Sequence, residues 1–254
     1  MPEGDTIHRA ARRLQTAFAG RTIERSEAPS PRSPIHHRAS ELEGRTLERA
    51  EARGKHLLAH FSGGLVLHSH LGMSGRWRIA ADGRMPYGKP WLLLASGRAV
   101  ASQTGGQILR LVSESRARND PGLMQLGPDP LGGGFDPHEA AGRLLEMGAG
   151  REIGEALMDQ RIIAGIGNAI RNEALFRAEV SPWRAVEDLD AEEAERVVRE
   201  NERVMKVSLK RGRRPRSIYR GTRERCPRCG GAIRSRGQGD ANRTAYWCEA
   251  CQSG

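Results

Sequence analysis

The four cysteines constrain this chain more than any other feature. They are Cys226, Cys229, Cys248 and Cys251, and the 254 residues hold no fifth. Cys226-Pro-Arg-Cys229 and Cys248-Glu-Ala-Cys251 are separated by 18 residues, a spacing typical of a four-thiolate zinc site. Two such knuckles can bring four sulfurs around one ion, and Gly230-Gly231 supplies a tight turn after the first pair. Two disulfides are the competing arrangement. They belong mainly to secreted proteins, and Met1-Pro2-Glu3-Gly4-Asp5 is acidic where a signal peptide would be basic. A closed four-cysteine site keeps no open coordination position, so one structural zinc ion is expected and the chemistry lies elsewhere.

Charge is the second constraint. The formal net charge is +10, and it is concentrated: Arg203 to Arg236 holds thirteen Lys or Arg against the single acid Glu224, while the rest of the chain sums to −2. A basic block beside a structured element reads as a footprint for a polyanion, most often nucleic acid. The alternative is a solvated linker. No stretch approaches the roughly 20 apolar residues that span a bilayer, so no membrane partner is expected, and the protein reads as cytoplasmic and monomeric.

Pattern along the chain gives a multi-domain α+β protein. A first helix, with Asp5 or Thr6 as N-cap, puts Ile7, Ala10, Ala11, Leu14 and Phe18 on one face. Short strand-like runs follow at 57–61, 65–68, 77–79, 91–95 and 108–112, a β-sandwich or barrel. From about Asp136 the period turns helical, over 139–147, 152–160, 168–177 and 191–209, the last capped by Asp190 with Glu193 three residues on. Residues 211–225 read as a basic linker. The domains expected are therefore 1–120, a β-sandwich; 121–210, helical; and 211–254, linker and zinc finger. Between two of the helices, Gly165-Ile166-Gly167-Asn168 opens a helix with Asn168 as cap and leaves backbone N–H groups for a phosphate.

In combination these features resemble the bacterial formamidopyrimidine-DNA glycosylase and endonuclease VIII family. Met1-Pro2-Glu3-Gly4 looks like the endonuclease VIII start, and the segment Arg53-Gly54-Lys55-His56-Leu57 is similar to the one that carries the family's catalytic lysine. Leu126-Gly127-Pro128-Asp129-Pro130-Leu131 looks like the interdomain stretch, 159–173 resembles the helix-two-turn-helix motif, and Asn242-Arg243-Thr244-Ala245-Tyr246-Trp247-Cys248 resembles the zinc-finger hairpin. The resemblance implies a bifunctional DNA glycosylase and AP lyase that removes oxidised bases, mostly pyrimidines, from damaged duplex DNA. With Met1 removed, Pro2 would attack C1′ as a secondary amine, Glu3 would move protons at the sugar, and Lys55 would act as acid or charge partner. Arg243 would hold the lesion's phosphate; Gly167, Asn168 and Arg171 would bind DNA; and the nick would need no catalytic metal. Lys55 is also one of only four lysines against 37 arginines, which hints that an ammonium is required there.

Two departures bear on substrate. The loop His70-Leu71-Gly72-Met73-Ser74-Gly75, with Met73 as the apolar wedge for the gap left by a flipped base, looks more like formamidopyrimidine-DNA glycosylase than endonuclease VIII. No clear Arg and Phe wedge pair occurs around 101–118, and the short linker at 211–225 would also admit single-stranded or bubble DNA. The competing function is a lesion- or AP-site-binding protein of the same fold that does not cut.

Overall fold

The computed structural model describes residues 1–85 and 87–252, and the chain forms two compact units, Met1–Met124 and Gln125–Gly254. The first begins with α1, Gly4–Phe18, whose stripe of Ile7, Ala10, Ala11, Leu14 and Phe18 is buried. The helix starts earlier than the sequence pattern suggests. Glu3 is the N-cap, in extended backbone, and Asp5 lies buried inside the first turn rather than ahead of it. The strands are β1 (Arg25–Glu27), β2 (Leu47–Arg53), β3 (His56–Phe61), β4 (Leu65–His70), β5 (Arg76–Ala80), β6 (Leu92–Ser96), β7 (Ala99–Thr104) and β8 (Ile108–Ser113).

They form two antiparallel four-stranded sheets, ordered β1-β6-β7-β5 and β2-β3-β4-β8. One core joins α1 to both sheets, with Phe18, Leu57, Phe61, Leu67, Leu94 and Leu111 in it. Alternation sends the other residues of β3, β4 and β8 to the opposite face, where His56 pairs with His70, and Leu58 lies beside His68, itself opposite Arg110. β1, β2 and β7 do not show in the apolar pattern. Charged side chains crowd β2, Leu-Glu-Arg-Ala-Glu-Ala-Arg, because it is an edge strand with one wet face, and β7 buries Ser102 and Gln103 rather than large apolar groups. Two short helices, α2 (Glu114–Arg118) and α3 (Pro121–Met124), end the unit.

In the second unit α4 (Pro137–Gly148) starts on the Asp136 side chain with Pro137 at its first position. The helix expected over 152–160 is only one turn, α5 (Ile153–Ala156). It stops because Asp159 turns its carboxylate onto the backbone and side chain of Arg161, and the Gln160 amide donates to the Met158 and Ile166 carbonyls while accepting from Gly165 N–H. Gly165, at φ +86°, completes that turn and launches α6 (Asn168–Ala178). α7 (Ala191–Arg211) carries the expected Asp190 and Glu193 capping box and packs with α4, α5 and α6 around Leu144, Ile163, Ile170, Val197 and Met205. The chain closes with the hairpin β9 (Ile233–Gln238) and β10 (Arg243–Cys248), whose Ile233 and Cys248 share a core with Phe176 of α6, Ile218 and Cys226. The four-cysteine segment is thus packed onto the helical one within a single unit. Among the described residues no helix is long and apolar enough to cross a membrane.

Candidate active site and metal centre

Pro2 stands just ahead of α1, half-buried, and lines a cavity of about 540 Å³ together with Thr6, Arg9, Met73, Arg76 and Trp77. Glu3 beside it is 1% exposed. Met73 is no core filler: it is 65% exposed at the tip of the turn between β4 and β5. That turn is rigidly held. Gly72 N–H donates to His70 Nδ1, Gly75 N–H to the Leu71 carbonyl, and a Cβ on Gly75 would come within 2.5 Å of that carbonyl oxygen. Below it Trp77 Nε1 donates to Ser69 Oγ, which donates to the fully buried Gln103.

Lys55 occupies the tight β2–β3 turn after Gly54, at φ +57°, and its charge, after burial, lowers the pKa of His70. Behind it runs a polar chain. Asp120 holds the Arg110 guanidinium, Arg110 Nε donates to His68 Nδ1 at 3.2 Å, and His68 Nε2 meets His56 Nδ1 at 2.8 Å. Because a guanidinium only donates, His68 Nδ1 must accept, so His68 carries its proton on Nε2 and donates it to His56, which is then protonated on its own Nε2. Burial, then His70 and His68, pushes the His56 pKa down to about 3; burial and Arg110 push His68 to about 4. Both rings are therefore neutral at physiological pH.

In the second unit the helix-opening turn has a different cap from the one expected: Gly167 is the N-cap and Asn168 the first helical residue. α6 is buried nearly all round, and its polar side chains turn inward onto β10. Asn168 Nδ2 donates to the Thr244 carbonyl, the Arg171 guanidinium to the Arg243 carbonyl, to Gly154 and to Gln238, and Asn172 Oδ1 accepts from Tyr246 N–H at 2.6 Å. Arg171, expected from the sequence to touch DNA, is only 1% exposed, so its guanidinium braces the hairpin instead of reaching outward. Glu173, also 1% exposed, takes the N–H groups of Ser217, Ile218 and Tyr219 and so fixes the linker's end. Asn172 and Glu173 lie in the segment that resembles the helix-two-turn-helix motif, but neither their bracing role nor that of Gln238 is read from the sequence. The signal for the first two lies in Asn168-Ala-Ile-Arg-Asn-Glu173, part of a helix with no amphipathic stripe and with four polar residues in six; Gln238 has none. Arg243 itself is half-buried at the head of β10 beside Asn242, which turns at φ +46°. It shares a cavity of about 240 Å³ with Arg151, Met158 and Asp159.

The four cysteine sulfurs lie within 4.8 Å of one another, with Cys226 and Cys251 3.8 Å apart and Cys229 and Cys248 3.5 Å apart. A tetrahedron with metal–sulfur bonds of about 2.3 Å has edges of roughly 3.8 Å, so the set fits one metal ion. Burial and the neighbouring sulfurs of Cys229 and Cys226 push Cys251 up to about 12, a cost that a dication's charge would reverse.

Residues 1–112 match the formamidopyrimidine-DNA glycosylase N-terminal domain, and residues 126–219 the H2TH domain of the same enzymes. The chain is 38% identical to a probable endonuclease 8 2 of Streptomyces coelicolor, covering 100% of this chain and 95% of that one. It is 35% identical to endonuclease 8 1 of Mycobacterium tuberculosis, over 100% of both. A crystal structure of Lactococcus lactis formamidopyrimidine-DNA glycosylase, bound non-covalently to DNA with an AP site, superposes with a TM-score of 0.84 at 23% identity, covering 99% of this chain and 100% of that one. A β-sandwich unit joined to a helix-two-turn-helix unit with a four-thiolate hairpin defines a class of DNA-repair enzymes. The chain belongs to the formamidopyrimidine-DNA glycosylase and endonuclease VIII family, and it is a DNA glycosylase and AP lyase for oxidised bases.

Proposed function

We propose that the protein excises oxidised bases, pyrimidines in preference, from DNA and nicks the strand through an iminium formed on Pro2. The observation that carries this reading is that Pro2 lines a cavity at the start of α1 with the exposed Met73 on its rim. With Met1 gone, Pro2 is a secondary amine. An α-amino group has a reference pKa of about 8, so an appreciable neutral fraction is present at pH 7. Its lone pair attacks C1′, the bond from C1′ to the base breaks, and the base leaves with a proton. The amine loses its own proton, the C1′–O4′ bond opens, O4′ takes a proton, and a C1′ iminium remains. That cation acidifies C2′; removal of a C2′ proton expels the 3′ phosphate. Glu3 is the group proposed to move protons at the sugar, and Lys55 the charge partner of the first elimination. Arg243 is proposed to hold the lesion's phosphate and assist the second, with Gly167 and Asn168 at the helix start beside the backbone. Met73 is proposed to fill the gap left by the flipped nucleotide. One zinc ion is proposed to hold the hairpin.

The competing reading, a lesion-binding protein that does not cut, is separated by borohydride trapping on duplex DNA with one AP site. Wild type lacking Met1 is expected to give a covalent complex mapped to residue 2, and Pro2→Gly to lose it. Tight binding with no complex from demethionylated protein would overturn the lyase mechanism.

A further inference from the structure

We infer that the first unit carries a second phosphate-binding track, on the outer side of α1 and the edge strand β5, which takes the sugar-phosphate backbone of the nucleic acid flanking the Pro2 cavity. The inference rests on the reading of the chain as a DNA-acting enzyme.

The track is made of arginines. Arg9, Arg12 and Arg13 follow one another at helical spacing on the side of α1 opposite its buried stripe, with Arg21 just beyond the helix. Arg76 and Arg78 stand on β5, the edge of its sheet, and Arg84 on the loop after it. Arg12, Arg13, Arg21, Arg76, Arg78 and Arg84 are all exposed. Among the described residues, none of these six has a carboxylate at ion-pair distance or a hydrogen bond from its guanidinium. Elsewhere in the same unit arginines are neutralised: Arg25 by Glu27, Arg38 by Glu41, Arg49 by Glu114, Arg53 by Glu51 and Arg110 by Asp120. Those carboxylates are each paired with another arginine and with none of these six. In α1 the only acidic residue is Asp5, which is buried, and in the loop Asp82 accepts from the backbone N–H of Arg84.

The arginines line connected hollows. The Pro2 cavity shares Arg13 and Ile79 with a second of about 400 Å³ that contains Arg12, Thr16 and Arg21, and Ile79 with a third of about 340 Å³ that contains Arg78, Arg84 and Tyr87. Tyr87 is 92% exposed, an aromatic surface beside two cations that suits stacking of an unpaired base. Keeping strange strands off an open sheet edge would explain Arg76 and Arg78 but neither the helix stripe nor Arg21. Crowded guanidinium groups with no carboxylate partner are relieved by a polyanion, and a nucleic-acid backbone offers a charge about every 3.4 Å along a strand. Whole-chain arithmetic hides this face, because paired acids elsewhere in the unit cancel it.

The test is the salt dependence of equilibrium binding to a duplex carrying a stable abasic analogue, for wild type and for Arg12→Ala/Arg21→Ala/Arg78→Ala. The triple variant is expected to bind more weakly and to lower the slope of log K against log salt by about 2 to 3, at about 0.9 for each phosphate no longer neutralised. The matching triple Lys variant is expected to restore the slope, which a folding defect would not do. An unchanged slope in a variant that melts like wild type overturns the track, as does loss of binding to a polyglutamate peptide with the DNA slope intact. AP-site trapping of wild type runs in parallel: its failure strikes the reading of function, whereas trapping with an unchanged slope in the variant strikes the track alone.

Discussion

Four of the chain's eight histidines stand on the outer face of the β2-β3-β4-β8 sheet, and they titrate in opposite senses. His56 and His68 are held below the ordinary histidine value, so the unfolded chain takes up protons below about pH 6.5 that the folded one refuses. Their contribution is full above the unfolded value and is lost as pH falls toward about 4 and then about 3. His60 behaves the other way. Burial works against its charge, but Glu51 and Glu114 hydrogen-bond its two ring nitrogens and raise its pKa, so its contribution is present at low pH and fades as pH rises through the folded value. The expected outcome for His68→Asn is a flatter fall of melting temperature between pH 6.5 and 4, against a wild-type slope of about 1.4 kcal/mol per pH unit for each neutral histidine. For His60→Asn, by contrast, more stability should be lost at pH 5.5 than at pH 8. Melts across pH check both signs. If His68→Asn leaves the acid limb as steep as wild type, the neutral pair is not its cause.

At the scale of elements, α6 shows what a sequence can and cannot announce. Its ends are legible, because Gly167, Asn168 and the run to Arg177 carry ordinary start and propensity signals. Its inward polar residues are not, since their partners lie in β10, more than 70 residues on. The same limit explains Arg171, which charge alone puts at the surface and three carbonyl-type acceptors put inside. β2 and β7 are hidden for the related reason that an edge strand and a polar-cored strand lack apolar alternation. α6 therefore works as a rail that fixes the residues around Arg243. Asn172→Ala would leave the N–H of half-buried Tyr246 without its partner, at a cost of about 1 kcal/mol. It is expected to lower the melting temperature and the rate of AP-site cleavage together. Glu173→Gln, which keeps the size but weakens three charge-assisted hydrogen bonds at Ser217, Ile218 and Tyr219, is expected to do the same to a smaller degree. Thermal melts and single-turnover cleavage of both variants measure this. Activity lost with no change in melting would assign Asn172 a part in the reaction rather than in bracing.

For the whole molecule, the cysteine spacing is the most legible feature and the basic block the most partial one, since charge counted along the chain cannot see which acids are spent in pairs. The four-cysteine cluster carries a prediction that separates the two units. Cys226 and Cys248 belong to a small core with Phe176, Ile218 and Ile233, all in the second unit, so the cysteine end of the hairpin has little apolar support beyond the hydrogen bonds from α6 and is expected to depend on a bound ion. Purified protein is expected to contain one zinc per chain, and its four thiols are expected to resist a thiol reagent until the metal is released. Stripping the ion with a strong chelator should expose Trp247 and Trp183, which meet edge to face at 5.1 Å in the second unit, and should abolish the DNA contact proposed for Arg243. The sandwich core around Phe18, Phe61 and Leu111 should persist, because it is built entirely from residues of the first unit. A chelated protein should therefore melt in a separate, zinc-independent transition that retains Trp77 burial, and adding zinc back should restore the hairpin. Four thiols that react freely in native, DNA-binding protein would show instead that the hairpin stands without a metal.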